Sequence, residues 1–226
     1  MSKYQLTRID TTNPAPRCPV VLLLDTSSSM AGEPIRELRE GCQQFLQEIL
    51  SDPTASMSVD LEIITFSSRA NLVVPFSPVT SISINSKDFS ADGYTSMGEA
   101  LSLAMKELYF RRRTYRKFGL LSYKPWVVLM TDGAPNDDWV EPASNMKLLA
   151  EQGKIQYLGI EIGSCCDHET MCEILPSDPG PIKLKGLRFK EFFKWLSDSL
   201  KSVSASAVSE EDNVEIGGID DWADFE

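Results

Sequence analysis

Three short stretches hold the residues of this chain that could do chemistry. DTSSSM, residues 25–30, places one carboxylate and three serine hydroxyls directly after the apolar run VVLLL at 20–24. DGYTSMGEAL, residues 92–101, brings Thr95 to the start of a helical pattern, and TDG at 131–133 puts Asp132 just beyond a second apolar run, WVVLM. A polar cluster at the end of a buried strand is costly unless something satisfies it. The candidates are a helix N-terminus, a phosphate, the substrate of a nucleophile, or a metal ion. Asp25, Ser27, Ser29, Thr95 and Asp132 offer only hard oxygen donors, which suits Mg²⁺ (or Mn²⁺), an ion that takes near-octahedral oxygen ligands and keeps several waters. Serines that merely cap backbone N–H groups are the plain alternative. Thr95 and Asp132, in their matching contexts, weigh against it.

For these side chains to meet, the ends of two strands must come together. Val20–Leu24 is short, apolar and rich in β-branched residues, the pattern of a strand covered on both faces. Ile35, Leu38, Cys42, Phe45, Leu46 and Ile49 then recur at helical spacing over Glu33–Leu50, with Pro34 suited to the first turn. Val59–Phe66 and Leu72–Phe76 read as strands whose link, Ser67 to Arg69, is too short for a crossover, so they pair antiparallel at a sheet edge. After the polar stretch Ser77–Gly93, the pattern predicts a helix at Met97–Phe110, a strand at Trp126–Met130, a helix at Asn145–Gln152 and a strand at Ile155–Ile162. A helix starting near Asp167, a strand at Ile182–Leu184 and a helix at Phe189–Val203 complete the series. This alternation predicts an α/β fold: a doubly wound, mostly parallel sheet with one antiparallel edge strand and helices on both faces. In such sheets ligands bind beyond the carboxyl ends of the strands where the strand order reverses, the place where Asp25 and Asp132 would meet.

Composition bounds the rest. At 226 residues with 42% hydrophobic content, the chain can bury one sizeable core. The expected organisation is an extension over 1–15, one domain over 16–204 and an acidic, unfolded tail over 205–226. No run of about 18 apolar residues occurs and the first residues lack a signal-peptide core, so the expected location is cytoplasmic, with no membrane partner. Five cysteines without a secretory signal fit reduced thiols, Cys18 and Cys42 serving as packing residues. Of the net charge of −11, eight negative charges lie in Ser209–Glu226, which leaves −3 for the remainder. Nucleic acid is therefore not an expected partner, because phosphate binding needs concentrated basic surface. The one basic run, Arg111, Arg112, Arg113, Arg116 and Lys117, reads as the solvated end of a helix; docking of an acidic partner or of the chain's own tail is the alternative. Asp220, Asp221, Asp224 and Glu226 flank Trp222 and Phe225, so that tail could contact the metal site or the arginines in cis, dock into another protein, or stay untethered.

Rival chemistries find less support. A dehalogenase-like phosphatase also keeps an aspartate after its first strand, but it wants a second acid two residues on, where Ser27 stands. No G-x-S-x-G elbow and no P-loop occur, and His168 is the sole histidine. The expectation is a protein that catalyses nothing unaided. CCDHETMC gathers Cys165, Cys166, His168 and Cys172, yet its spacing matches no common structural zinc site; a loop with Asp167 capping a helix is the simpler reading, with zinc or redox sensing as the alternative. Asp137 and Asp138 could extend the acidic rim but read more simply as solvated. A protein that sequesters metal ions is a further alternative, against which stands the single hard-cation site per chain.

The D-x-S-x-S motif followed by Thr95 and Asp132 resembles the metal-ion-dependent adhesion site of the von Willebrand factor A domain family, over about residues 16–204. The resemblance implies that Ser27 and Ser29 bind the ion directly, Thr95 directly or through water, and Asp25 and Asp132 mostly through water. It further implies an open coordination position that a carboxylate from a protein partner can fill. VVLMTDGAPNDDW at 127–139 and RFKEFFKWLSDSL at 188–200 resemble bacterial TerY-type members, named for tellurium resistance. That resemblance implies a cytoplasmic scaffold in stress response or phage defence, working with partners that in some systems include a kinase and a phosphatase.

Overall fold

Cys18–Asp25 (β1) is buried along its whole length, as a strand must be when neighbours flank both its edges and helices cover both its faces. In the computed structural model, which describes residues 9–164, 166–207 and 222–224, β1 pairs in parallel with Val59–Phe66 (β2) on one side and Trp126–Thr131 (β4) on the other. Gln156–Glu161 (β5) and Pro181–Leu184 (β6) continue the parallel series beyond β4. Ala70–Pro78 (β3) pairs antiparallel with β2 at the edge, as its short link requires. The order of these six strands, 3-2-1-4-5-6, reverses between β1 and β4.

Glu33–Ser51 (α1), the short Pro53–Ser58 (α2) and Phe189–Ala205 (α6) cover one face, where Phe45, Phe192, Phe193, Leu196 and Leu200 pack on the even-numbered residues of β1. Met97–Lys117 (α3), Val140–Glu151 (α4) and His168–Ile174 (α5) cover the other, against Val21, Leu23, Val127 and Leu129. No helix among the described residues is long and apolar enough to cross a membrane.

Three expectations need correction. Helix α3 runs seven residues past the predicted end, and Arg111 is not solvated. Its Nη2 donates to Asp60 Oδ2 at 2.6 Å, Tyr115 OH donates to the same oxygen, and all three groups are buried. A charge that finds a partner inside the fold can sit on the buried face of a helix. The unfolded tail is also incomplete as a description, because Ala205 still belongs to α6 and Trp222 to Asp224 lie on the sheet. Ala223–Asp224 (β7) pairs antiparallel with β6, and Trp222 is buried with its ring 5.0 Å from that of Phe192 and 5.3 Å from that of Trp195. One indole has enough apolar area to hold a short acidic segment against a sheet edge. Of the residues expected to contact the metal site or the arginines, Trp222 and Asp224 lie at the β6 edge instead, and Asp220, Asp221, Phe225 and Glu226 lie outside the described residues.

Candidate metal centre

Because the strand order reverses between β1 and β4, the loops that follow them open into the same crevice. Asp25, the last residue of β1, is fully buried. Its Oδ1 accepts the Ser27 N–H at 2.7 Å and its Oδ2 accepts the Thr131 hydroxyl at 2.6 Å across the switch point. The chain then turns through a short 3-10 segment, Ser28–Met30, which aims hydroxyls along the rim. Ser27 Oγ lies 2.9 Å from Ser29 Oγ, and Ser29 Oγ donates to Asp132 Oδ1 at 2.7 Å. Residues 103 positions apart in sequence thus share one chain of hydrogen bonds.

Thr95 enters from a third element. Its buried side chain overhangs the Asp132 loop: a Cβ built on Gly133 would stand 3.6 Å from Thr95 Oγ1. The loop after β4 holds it there. Asn136 Oδ1 accepts the Thr95 N–H at 3.2 Å and the Asn136 N–H donates to the Thr95 carbonyl at 3.1 Å. Asp137 accepts the Gly98 and Glu99 N–H groups, both at 2.9 Å, and so caps α3, whose own preceding residue Ser96 supplies no side-chain cap. This corrects the expectation that Asp137 is solvated: the open amides at the start of a helix need acceptors, and a carboxylate there also matches the helix dipole. Gly98 makes the approach possible, since a Cβ would meet the Asp138 carbonyl at 2.5 Å. Gly93, with φ of +76°, turns the incoming chain so that its carbonyl accepts the Ser28 N–H at 3.1 Å. Asp138 is exposed.

The electrostatics are those of an uncompensated anion. Burial pushes the Asp25 carboxyl up to about 6, although the Thr131 and Ser27 donors pull it down. Burial likewise raises Asp132 against the pull of Ser29. Asp25 makes no ion pair among the described residues, so its partners are two hydroxyls and an amide. A buried carboxylate in this setting fits a cation supplied from outside, and oxygen donors alone fit a hard divalent one. Among the described residues no three His, Cys, Asp or Glu side chains converge into a metal cage, which leaves the hydroxyl-lined rim as the candidate. Of CCDHETMC, Cys165 lies outside the described residues, Cys166 Sγ rests 4.0 Å from the Gly133 carbonyl, and Asp167 caps α5 by accepting the Thr170 N–H at 3.3 Å.

Thr131 and Asn136 are site residues that sequence reasoning missed, and Asp137 is one that it read as solvated. Each acts on a residue 38 or more positions away, and the sequence offers Ser96 with Glu99 as a cap for α3, so no local signal pointed to them.

The von Willebrand factor type A domain model matches residues 20–186. This chain belongs to that family. No curated protein sequence matches it. Among solved structures, similarity extends to the mussel byssus protein PTMP1 with a zinc-occupied MIDAS motif, at 16% identity and a TM-score of 0.58 over 85% of this chain and 47% of that one. A von Willebrand factor type A protein from Catenulispora acidiphila is 15% identical with a TM-score of 0.60, over 82% and 43% of the two chains. The manganese-loaded TRAP protein of Plasmodium vivax is 22% identical with a TM-score of 0.53, over 78% and 71%. The chain spans about half the length of the mussel protein. These likenesses establish the fold of this von Willebrand factor type A domain.

Proposed function

We propose that the domain is a metal-dependent protein-interaction module. Ser27, Ser29 and Thr95 would hold Mg²⁺ or Mn²⁺, with Asp25 and Asp132 orienting the hydroxyls and the bound waters. The observation that carries this reading is the buried Asp25 carboxylate, tied into a chain of hydroxyls at the switch point with no cation from the described residues beside it. Zinc and manganese in the named relatives support a divalent ion in the same motif here. When bound, the ion supplies an electrophilic position that neutral hydroxyl ligands leave only partly compensated, so a carboxylate from a partner protein completes its shell. Tyr94, 69% exposed at the rim, offers an aromatic surface to that partner.

In this reading the chain catalyses nothing unaided. The likeness of residues 127–139 and 188–200 to TerY-type proteins supports a cytoplasmic scaffold in a bacterial stress-response, tellurium-resistance or phage-defence system, with a kinase or phosphatase among its partners. Calorimetric titration with Mg²⁺ and Mn²⁺, wild type beside Asp25→Ala, tests the metal. The expected result is one ion per wild-type chain and none in the variant. Equal binding by both proteins, or none by either at millimolar metal, would overturn the assignment.

A further inference from the structure

One strand away from the rim, three side chains stand in the order thiol, imidazole, buried carboxylate. Cys172 on α5 is exposed, and its Sγ lies 3.5 Å from Nε2 of His168, one turn earlier on the same helix. The other ring nitrogen, His168 Nδ1, lies 2.9 Å from Oε1 of Glu161, the last residue of β5, which is 3% exposed. In the tautomer that donates Nδ1–H to the Glu161 oxygen, Nε2 presents its lone pair to the thiol. The sheet register sets Lys183 of β6 beside Glu161. From α4, Lys147 Nζ donates to the carbonyls of Cys172 and Glu173 at 3.2 and 3.4 Å, bringing a positive charge to the thiol's end of the helix. The remaining carboxylates at this helix are Asp167, turned onto Thr170 at 2.7 Å, and the exposed Glu169 and Glu173.

A nucleophile within reach of a base that a third group orients is the arrangement that activates thiols. Cys166 provides the contrast within the same motif. It is partly buried, and burial together with the charges of Glu161, Asp132, Asp167 and Asp25 pushes its thiol up to about 12. Cys18 and Cys42 are fully buried.

The geometry points to Cys172 as a base-activated thiol that exchanges with low-molecular-weight disulfides, with His168 as the base and Glu161 as its positioning residue. His168 Nε2 takes the thiol proton, and the thiolate attacks one sulfur of a disulfide R–S–S–R. The Cys172–S–S–R bond forms as the original S–S bond breaks, and the departing thiolate leaves as RSH with the proton from the imidazolium. The disulfide is the only oxidant the step requires. The product is the chain carrying a mixed disulfide on α5.

The test is the rate at which the full-length chain forms a mixed disulfide with oxidised glutathione between pH 5.5 and 9, site by site, by peptide mass spectrometry. At pH 7 Cys172 is expected to react at least about tenfold faster in wild type than in His168→Ala, whose rate should rise only at more alkaline pH. Glu161→Gln is expected to move the wild-type profile towards that of His168→Ala. Because Glu161 is buried, the decision rests on His168→Ala at an exposed position, with folding verified by circular dichroism. Identical rates and profiles for Cys172 in wild type and His168→Ala would overturn the inference, as would modification falling on Cys166 in preference to Cys172.

Discussion

Asp25 and Asp60 are both buried carboxylates on central parallel strands, and the protein treats them oppositely. Asp60, near the start of β2, meets the Arg111 guanidinium at 2.6 Å and the Tyr115 hydroxyl, so its charge is balanced within the chain. Asp25, at the end of β1, meets an amide and hydroxyls, and among the described residues its charge has no counterion. The lesson is that burial alone does not mark a functional acid. An internal cation makes a buried acid part of the scaffold, and its absence beside a solvent-facing chain of hydroxyls leaves the acid for a cation from solution. Glu62, two residues from Asp60 on the same face, is a third case: neither of its carboxylate oxygens reaches a hydrogen-bond partner among the described residues. Burial first and the charge of Glu107 second push this carboxyl well above its ordinary range, which the Phe76 backbone and Arg111 only partly oppose.

This contrast is open to direct attack. The largest expected effect is Arg111→Ala, which strands Asp60 as a buried charge and should lower unfolding stability by about 3–5 kcal/mol while leaving the metal affinity of the rim unchanged. Denaturant melts with and without Mn²⁺ read both quantities. Next comes Asp25→Asn, for which the opposite pattern is expected. Wild type should gain about 2.7 kcal/mol at a Mn²⁺ concentration a hundred times its Kd, and the variant should gain nothing while keeping the metal-free stability of wild type or better. A variant that loses metal-free stability as Arg111→Ala does would mean that Asp25 is scaffold after all.

Smallest is Glu62→Met, which removes a buried carboxyl whose oxygens make no close hydrogen bond among the described residues and should stabilise the protein by about 1–3 kcal/mol at neutral pH. The pH dependence has a definite sign. A carboxyl whose folded-state value lies above its unfolded value adds no ionisation cost in acid, and that cost grows once the pH passes the unfolded value of 4.5. The advantage of Glu62→Met over wild type is therefore expected to widen as pH rises from about 4.5, and a constant difference across that range would show that Glu62 titrates normally.

Much of this was legible in the sequence, for a physical reason. A doubly buried parallel strand needs an unbroken apolar run, so Val20–Leu24 and Trp126–Met130 announce their strands and hence the loops holding Asp25 and Asp132. The edge pairing of β2 and β3 followed from a link too short for any crossover. What the sequence did not disclose are pairings whose partner is distant and whose residue type suggests water. Arg111 looks solvated until Asp60, 51 positions earlier, is placed beside it, and Asp137 looks solvated until α3 arrives without a cap of its own. Trp222 lies in an acidic stretch whose composition argues against folding, and only the aromatic pocket of Phe192 and Trp195 reverses that. His168 and Cys172 were visible as a cluster, but the buried Glu161 that orients the imidazole belongs to a strand seven residues away.

The most direct test of the central claim is the anomalous diffraction of a crystal soaked in Mn²⁺. The account requires one peak at the carboxyl ends of β1 and β4, at bonding distance from Ser27 Oγ and Ser29 Oγ, with Asp25 reaching the ion through water. A peak elsewhere, such as between His168 Nε2 and Cys172 Sγ, or no peak at saturating Mn²⁺, would contradict it.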